Sequence, residues 1–581
     1  MIDGQPERAI VNPITGVDSK MNEFCTAFAD LREDFRSKDL VHITLVQSQV
    51  ASSVDLIREY LQSFSHLTLS YDFRQGCKQV LRPEEMDSKR PCCLGNTRRN
   101  VINDIMKWIE DDSNEAKKVL WVYGLAGTGK STLSTTIAHI MANLQRLGAF
   151  FFFNRDIRPR DSGTLIRTLA YQLADFNDSF GAAISRLAKD NSKITIMPLE
   201  YQFKTLLINT LKSVEWSRGP IVLIIDALDE CGREGDRRDL MQALSKGFSD
   251  LPSFIRVIVV SRQEPDIQHA LGSHSHVRSY HLDTNSVTNR DDISEYIQHR
   301  LEEIRIRNGR LGDHWPGEDK ISSLANRAGG LFIWASTACL YIDSYAPDRR
   351  LSELVSKQPE DDSSSGPFAQ LDSLYETGLQ STDFWNDRSF RADCCNTLGV
   401  ILCAGVPLSC SVIDALLEPR DMSSWESVSR LGCVLHVSET EPIRILHPSF
   451  HDYLSERCGD KPWSINLEHH NKELALHCIE LLDKELRENI CDMTLPYLSQ
   501  KRALPEAISY ACKFWIEHVC QISADEDDIL NKIYNFLDKR LLHWMEVMAI
   551  LECHDITIRF IDNLMKWLQV CRPVCIMGAF H

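Results

Sequence analysis

Four short, mainly apolar runs mark the middle of the chain: Val119–Tyr123, Gly148–Phe153, Ile221–Ile225 and Ile255–Val260, the last broken only by Arg256. Each is rich in β-branched or aromatic residues and shows no polar alternation, the pattern of a strand buried on both faces. After the first run, Leu133, Ile137, Ile140, Met141 and Leu144 recur at helical spacing. After the second, Leu165, Leu169 and Leu173 do the same. Strands alternating with helices across 119–285 predict a doubly wound α/β domain with a mainly parallel sheet.

The flanks read differently. Phe24, Phe28, Leu31 and Phe35 form one helical face. Ile43, Val50, Ile57 and Phe64 then fall at seven-residue steps, with Val46, Ser53 and Tyr60 between them. That heptad fits either a helical bundle packed on itself or a module that binds a protein partner. Gly76, Pro83, Pro91 and Gly95 mark an entry loop, and a helix over about 97–110 presents Ile102, Ile105, Trp108 and Ile109. Leu324, Ala328 and 331–341 predict further helix, and 355–367 a flexible connection. Helical segments at 398–417 and from 428 onward precede a hairpin of 433–437 and 443–446. This is the make-up of a winged helix, read here as a protein-packing module. From Asn466 onward the pattern is helical, without an internal repeat.

Composition narrows the function classes. At 581 residues several domains are expected, and 43% hydrophobic with 25% charged residues is ordinary for globular proteins. A formal net charge of −18 argues against broad nucleic-acid or anionic-membrane binding. No apolar run is long enough for a membrane span. The N-terminus, with Asp3, Glu7 and Arg8, lacks a signal-peptide core, and the 19 cysteines are an odd number scattered through the chain. Free thiols in a reducing cytoplasm are therefore expected. Cys553, His554, Cys571 and Cys575 have spacing too irregular for a zinc site, and packed thiols are the plainer reading.

The chemistry sits where the first strand meets its helix. Gly124-Leu125-Ala126-Gly127-Thr128-Gly129-Lys130-Ser131-Thr132 is a G-x-x-x-x-G-K-S loop between strand and helix, the context a phosphate cradle requires. Backbone N–H groups and the helix N-terminus would face the anion. Lys130 would reach the β- and γ-phosphates, and Ser131 would bind Mg²⁺. Ile221–Ile225 ends in Asp226, an acid at a strand's carboxyl end that can also hold Mg²⁺. Asp229 and Glu230 follow it, and Arg262 follows the next strand, where it can report on the γ-phosphate. The plainer alternatives are a glycine-rich turn with a surface lysine and an arginine on a solvated loop.

Assembled, these residues resemble the fungal NACHT proteins of the STAND signal-transduction P-loop ATPases, a family related to NOD-like receptors and to nephrocystin-3. The resemblance rests on VYGLAGTGKST at 122–132, GAFFFFNRD at 148–156, IVLIIDALDEC at 221–231, VIVVSRQEPDI at 257–267, GGLFIWAS at 329–336 and RILHPSFHDYL at 444–454. It implies five segments: an N-terminal helical region (1–90), the NACHT P-loop core (91–285), a helical segment (286–365), a winged-helix-like module (366–460) and a helical arm (461–581). It also implies ATP or ADP with Mg²⁺ as ligands, slow hydrolysis, and nucleotide-driven opening into a homo-oligomer. GTP is possible, although no N-K-x-D guanine-reading motif is present.

Carried over by position, Asp229 and Glu230 are candidates to position the attacking water, and Arg262 matches the first sensor. His447 falls where related proteins place a histidine near the β-phosphate, and 93–98 would wall the base. Relatives commonly continue into a repeat domain, and none is legible up to His581. The competing readings are a nucleotide-stabilised scaffold that never hydrolyses and a plain P-loop kinase.

Overall fold

The computed structural model describes Leu81 and residues 90–571, apart from short stretches at 114–115, 155–161, 191–192, 233, 273, 345, 357–367, 381–382, 418–421, 439–440, 492–502, 524–526 and 552. The helices expected over 24–64, most of the connection at 355–367, and Cys575 lie outside the described residues.

Five parallel strands form one sheet: β1 (Val119–Tyr123), β2 (Leu147–Phe152), β3 (Ile221–Asp226), β4 (Ile255–Ser261) and β5 (Val277–His281), in spatial order β2-β3-β4-β1-β5. The apolar runs follow from this arrangement. Successive residues point to opposite faces, and both faces are covered. Val119, Trp121, Phe151, Leu223, Ile225 and Val259 pack on one side, with Leu165, Leu169 and Leu173 of the helix Ser162–Phe176. Leu120, Val122, Val222, Ile224, Ile258 and Val260 pack on the other, against α1 (Arg99–Ile109) and α2 (Lys130–Asn143). The mainly parallel sheet expected from the sequence is wholly parallel among the described residues.

Two details differ from the pattern. Leu144 was expected on the buried face of α2 but stands at its C-cap and is half exposed, because the helix has already ended. Strand β5 carries no apolar run, since an edge strand buries little: only Val277 of its five residues is buried.

Beyond the sheet come α3 (Val287–Arg307), α4 (Phe332–Ser344) and further helices. Helices Arg388–Cys403, Cys410–Leu416 and Ser424–Val428 then lead into a small hairpin. In it β6 (Leu435–His436) pairs antiparallel with β7 (Arg444–Ile445), followed by α5 (Pro448–Asp452). Long helices complete the described chain, from Leu467–Glu485 to His554–Cys571. From Ile293 to Leu568 the buried apolar residues form one continuous cluster, so these helices and the hairpin share a core rather than standing as isolated packets.

Candidate nucleotide-binding site

Strand register brings the chemistry to one edge of the sheet. Tyr123 at the end of β1 lies beside Ser261 of β4, and Phe152 of β2 lies beside Asp226 of β3. Because β4 stands between β1 and β3, the segments leaving all three open onto the same crevice, where open parallel sheets bind ligands. A cavity of about 510 Å³ lies there, within the size range of small-molecule sites.

The loop after β1 has the conformation its glycines predict. Gly127 and Gly129 have φ of 80° and 83°, which a side chain would strain. Gly127 is also in close contact: a Cβ there would come within 2.0 Å of Ile333 Cγ2. The Ile333 N–H donates to the Gly127 carbonyl at 3.0 Å, so the start of α4 is seated on the loop. Gly127→Ala is accordingly expected to lower the melting temperature and weaken nucleotide binding at least tenfold, at ~1–3 kcal/mol for forced overpacking. Thermal melts with and without ADP check this, and wild-type behaviour in both would mean that the seating is easily rearranged.

Each predicted loop residue can be located. Lys130 Nζ donates to the carbonyls of Gly124 (2.9 Å) and Leu125 (2.7 Å). Burial pushes its pKa down to about 8 against the pull of nearby Asp229 and Asp226. Ala126 is buried, and Leu125 lies partly exposed. The Thr128 carbonyl accepts from Arg98 Nη2 at 2.6 Å, and that guanidinium also stands over the Phe332 ring at 4.7 Å. Ser131 Oγ donates to Asp226 Oδ1 at 3.3 Å, and Thr132 lines the cavity. Asp226 is fully buried, and its Oδ1 also accepts the Ala227 N–H at 2.9 Å. A hydroxyl beside a carboxylate is a donor set suited to Mg²⁺, a hard cation. The glycine cradle, the half-buried lysine and this oxygen pair together fit a Mg²⁺-nucleotide.

The two acids after β3 are not equivalent. Asp229 Oδ1 accepts the Arg262 N–H at 2.9 Å, and its Oδ2 lies 3.3 Å from Arg262 Nε. Arg237 makes a two-pronged bond to Asp266 and donates to the Asp229 carbonyl at 3.1 Å, pinning the turn. Asp229 is therefore tied to Arg262, and Asp229 and Glu230 both line the cavity half-buried. Arg262 itself reaches across the fold, with Nη1 3.2 Å from Asp452 Oδ2 at the end of α5. Trp121 Nε1 donates to Ser261 Oγ at 2.9 Å, which in turn donates to the Arg262 carbonyl.

His447 lines the same cavity, although 317 residues of sequence separate it from Lys130. Its Nδ1 accepts the Ser449 N–H at 3.1 Å, capping α5. In the neutral ring the proton then sits on Nε2. Ser449 Oγ is held by the Tyr375 hydroxyl at 2.8 Å. The entry loop also closes on the site, with Cys93, Leu94, Thr97 and Arg98 among the lining residues. Sequence reasoning missed Arg90, Tyr296, Phe332, Ile333 and Asp452. None lies in a phosphate motif, although Phe332 and Ile333 stand inside GGLFIWAS and Asp452 inside RILHPSFHDYL.

Fold and site define the class: a P-loop NTPase core, carrying phosphate loop, strand-end aspartate and arginine at one sheet edge. Residues 97–262 match the family described as Nephrocystin 3, N-terminal. The vegetative incompatibility protein HET-E-1 of Podospora anserina is 22% identical over 528 residues, 82% of this chain and 37% of that protein. The chain thus spans little more than a third of that relative. Over the core, the similarity is to NACHT-type and STAND NTPases.

Among solved structures, the STAND protein PH0952 of Pyrococcus horikoshii, which has a tetratricopeptide repeat sensor, is 14% identical. The match covers 85% of this chain and 60% of that one, with a TM-score of 0.42. The Aeropyrum pernix ORC1 protein, solved in complex with DNA, is also 14% identical, covering 64% and 94% with a TM-score of 0.28. Scores this low add nothing to the fold described above. Among the described residues no helix is long and apolar enough to cross a membrane, and no group of three or more His, Cys, Asp or Glu could hold a metal.

Proposed function

We propose that the chain is a nucleotide-gated signalling switch that binds ATP or ADP with Mg²⁺, hydrolyses slowly, and opens to self-associate when the nucleotide is exchanged. One observation carries the reading: the phosphate cavity is walled by distant parts of the chain, and Arg262 joins Asp229 of the core to Asp452 beyond the hairpin. A ligand touching both sides can change how firmly they hold together, as a kinase pocket need not. The proposal assigns 91–285 as the core, 286–365 as its helical segment, 366–460 as a winged-helix module and 461–581 as an arm.

Within this reading Lys130 and the P-loop N–H groups hold the phosphates, and Ser131 and Asp226 hold Mg²⁺. When bound, Mg²⁺ neutralises charge on the phosphate oxygens. Glu230 orients the attacking water, with Arg262 as sensor. Tightly held ADP in the purified protein, and a shift from monomer to oligomer on exchange for a non-hydrolysable ATP analogue, test the reading. A nucleotide-free protein with no measurable affinity for either would end it.

His447 serves as the latch. Through Nε2–H it can donate to a diphosphate in the closed state alone, a charge-assisted bond worth roughly 1.5–3 kcal/mol. Losing it multiplies the open population by about 10- to 150-fold. His447→Asn keeps a side-chain acceptor for the helix cap and is expected to release ADP faster and to self-associate without stimulus. Stopped-flow and size-exclusion measurements decide, since a monomeric variant with the wild-type off-rate returns His447 to a capping role.

A further inference from the structure

Arg90 stands outside every nucleotide motif, yet it makes the charged contact to the most buried acid of the site. Its Nη1 donates to Asp226 Oδ2 at 2.8 Å, with the Asp226 side chain fully buried and that of Arg90 23% exposed. The guanidinium is stacked 4.2 Å from the centre of the Phe152 ring, on the strand that pairs with β3 beside Asp226. Oδ1 already accepts from Ala227 N–H and Ser131 Oγ. Oδ2 is thus the oxygen that Arg90 claims.

A guanidinium and a divalent cation compete at such a place. Both draw on the same carboxylate, and two cations a few ångströms apart in a partly buried crevice repel strongly. The aromatic face under Arg90 and its planar fork make it a built contact rather than a passing lysine.

We propose that Arg90 is a resident cation competing with Mg²⁺ for Asp226, so that metal loading displaces Arg90 and moves the chain entering the core. Resting on the switch reading above, this names a coupling between the metal site and the entry loop at 90–98, which lines the same cavity. Coupling is reciprocal: whatever draws that segment away raises Mg²⁺ affinity by the factor by which Mg²⁺ loosens the segment.

The experiment compares full-length wild type with Arg90→Ala and Arg90→Gln, the second keeping a polar side chain where alanine leaves a gap. Calorimetry gives the ADP dissociation constant in EDTA and in Mg²⁺. Electron paramagnetic resonance gives Mn²⁺ binding without nucleotide. The ratio of the two ADP constants is expected to rise at least about tenfold in both variants, with Mn²⁺ affinity rising in parallel, because a close charge competitor has gone. A merely structural Arg90 would lower the melting temperature and leave the ratio unmoved. An unchanged or fallen ratio of the EDTA constant to the Mg²⁺ constant overturns the proposal, and a ratio that rises without a rise in Mn²⁺ affinity does so too, by making Arg90 a phosphate ligand instead. If wild type binds no ADP at all, the nucleotide reading fails, and unaltered Mn²⁺ affinity in the variants would sink this inference separately.

Discussion

Lys130→Ala is expected to weaken nucleotide binding by at least about a hundredfold. The half-buried ammonium sits against the P-loop, where it donates to the Gly124 and Leu125 carbonyls and nearby acids offset its charge. Removing one partner of a buried charge pair typically costs ~3–5 kcal/mol, and every 1.4 kcal/mol is about tenfold in affinity. Calorimetry with Mg-ADP checks it, and retained affinity would mean that the backbone cradle suffices alone.

The same lysine gives a pH dependence with a definite sign. Burial lowers its pKa to about 8, whereas bound phosphate favours the charged form. Nucleotide affinity is therefore full below pH 8 and falls as pH rises through it, by about fivefold between pH 8 and 9. The stability of the ligand-free fold moves the other way. Between about 8 and the ordinary 10.5 the unfolded chain holds more protons at this residue, so its contribution to stability rises with pH over that window. Lys130→Ala should abolish the lysine's part of both trends, which separates it from other titrating groups.

Glu230→Gln is expected to bind Mg-ATP normally and to turn it over about 100-fold more slowly, the scale of general acid–base or water-positioning effects. Asp229 and Glu230 both remain candidates to position the attacking water, and the proposal takes Glu230 first. Asp229 accepts the Arg262 N–H and pairs with its guanidinium, so Asp229→Asn should disturb Arg262 and the link to Asp452 as well as turnover. Single-turnover hydrolysis separates the two. Wild-type turnover in Glu230→Gln would pass the role to Asp229.

The parts legible in the sequence are those whose chemistry is local. A phosphate cradle is built from consecutive backbone N–H groups, so its nine residues announce it without the rest of the fold. Strands buried on both faces appear as apolar runs, and Asp226 is conspicuous because it ends one of them. Strand β5 was missed for the converse reason: at an edge, with four of its five residues not buried, it leaves no such run.

Tertiary structure alone decided which groups share the site. Arg90 meets Asp226 across 136 residues, and Arg262 meets Asp452 across 190. Ile333 seats on Gly127 because a glycine there leaves room for it, a fit that neither segment signals. Asp229 and Glu230 are adjacent and chemically alike, so spacing could not separate them. The backbone turn at Ala227, with φ of 54°, and the reach of Arg262 give Asp229 a charged partner that the sequence does not signal. Local sequence determines what a side chain can do. Which charges meet, and at what depth of burial, depends on the packing of elements far apart in the chain.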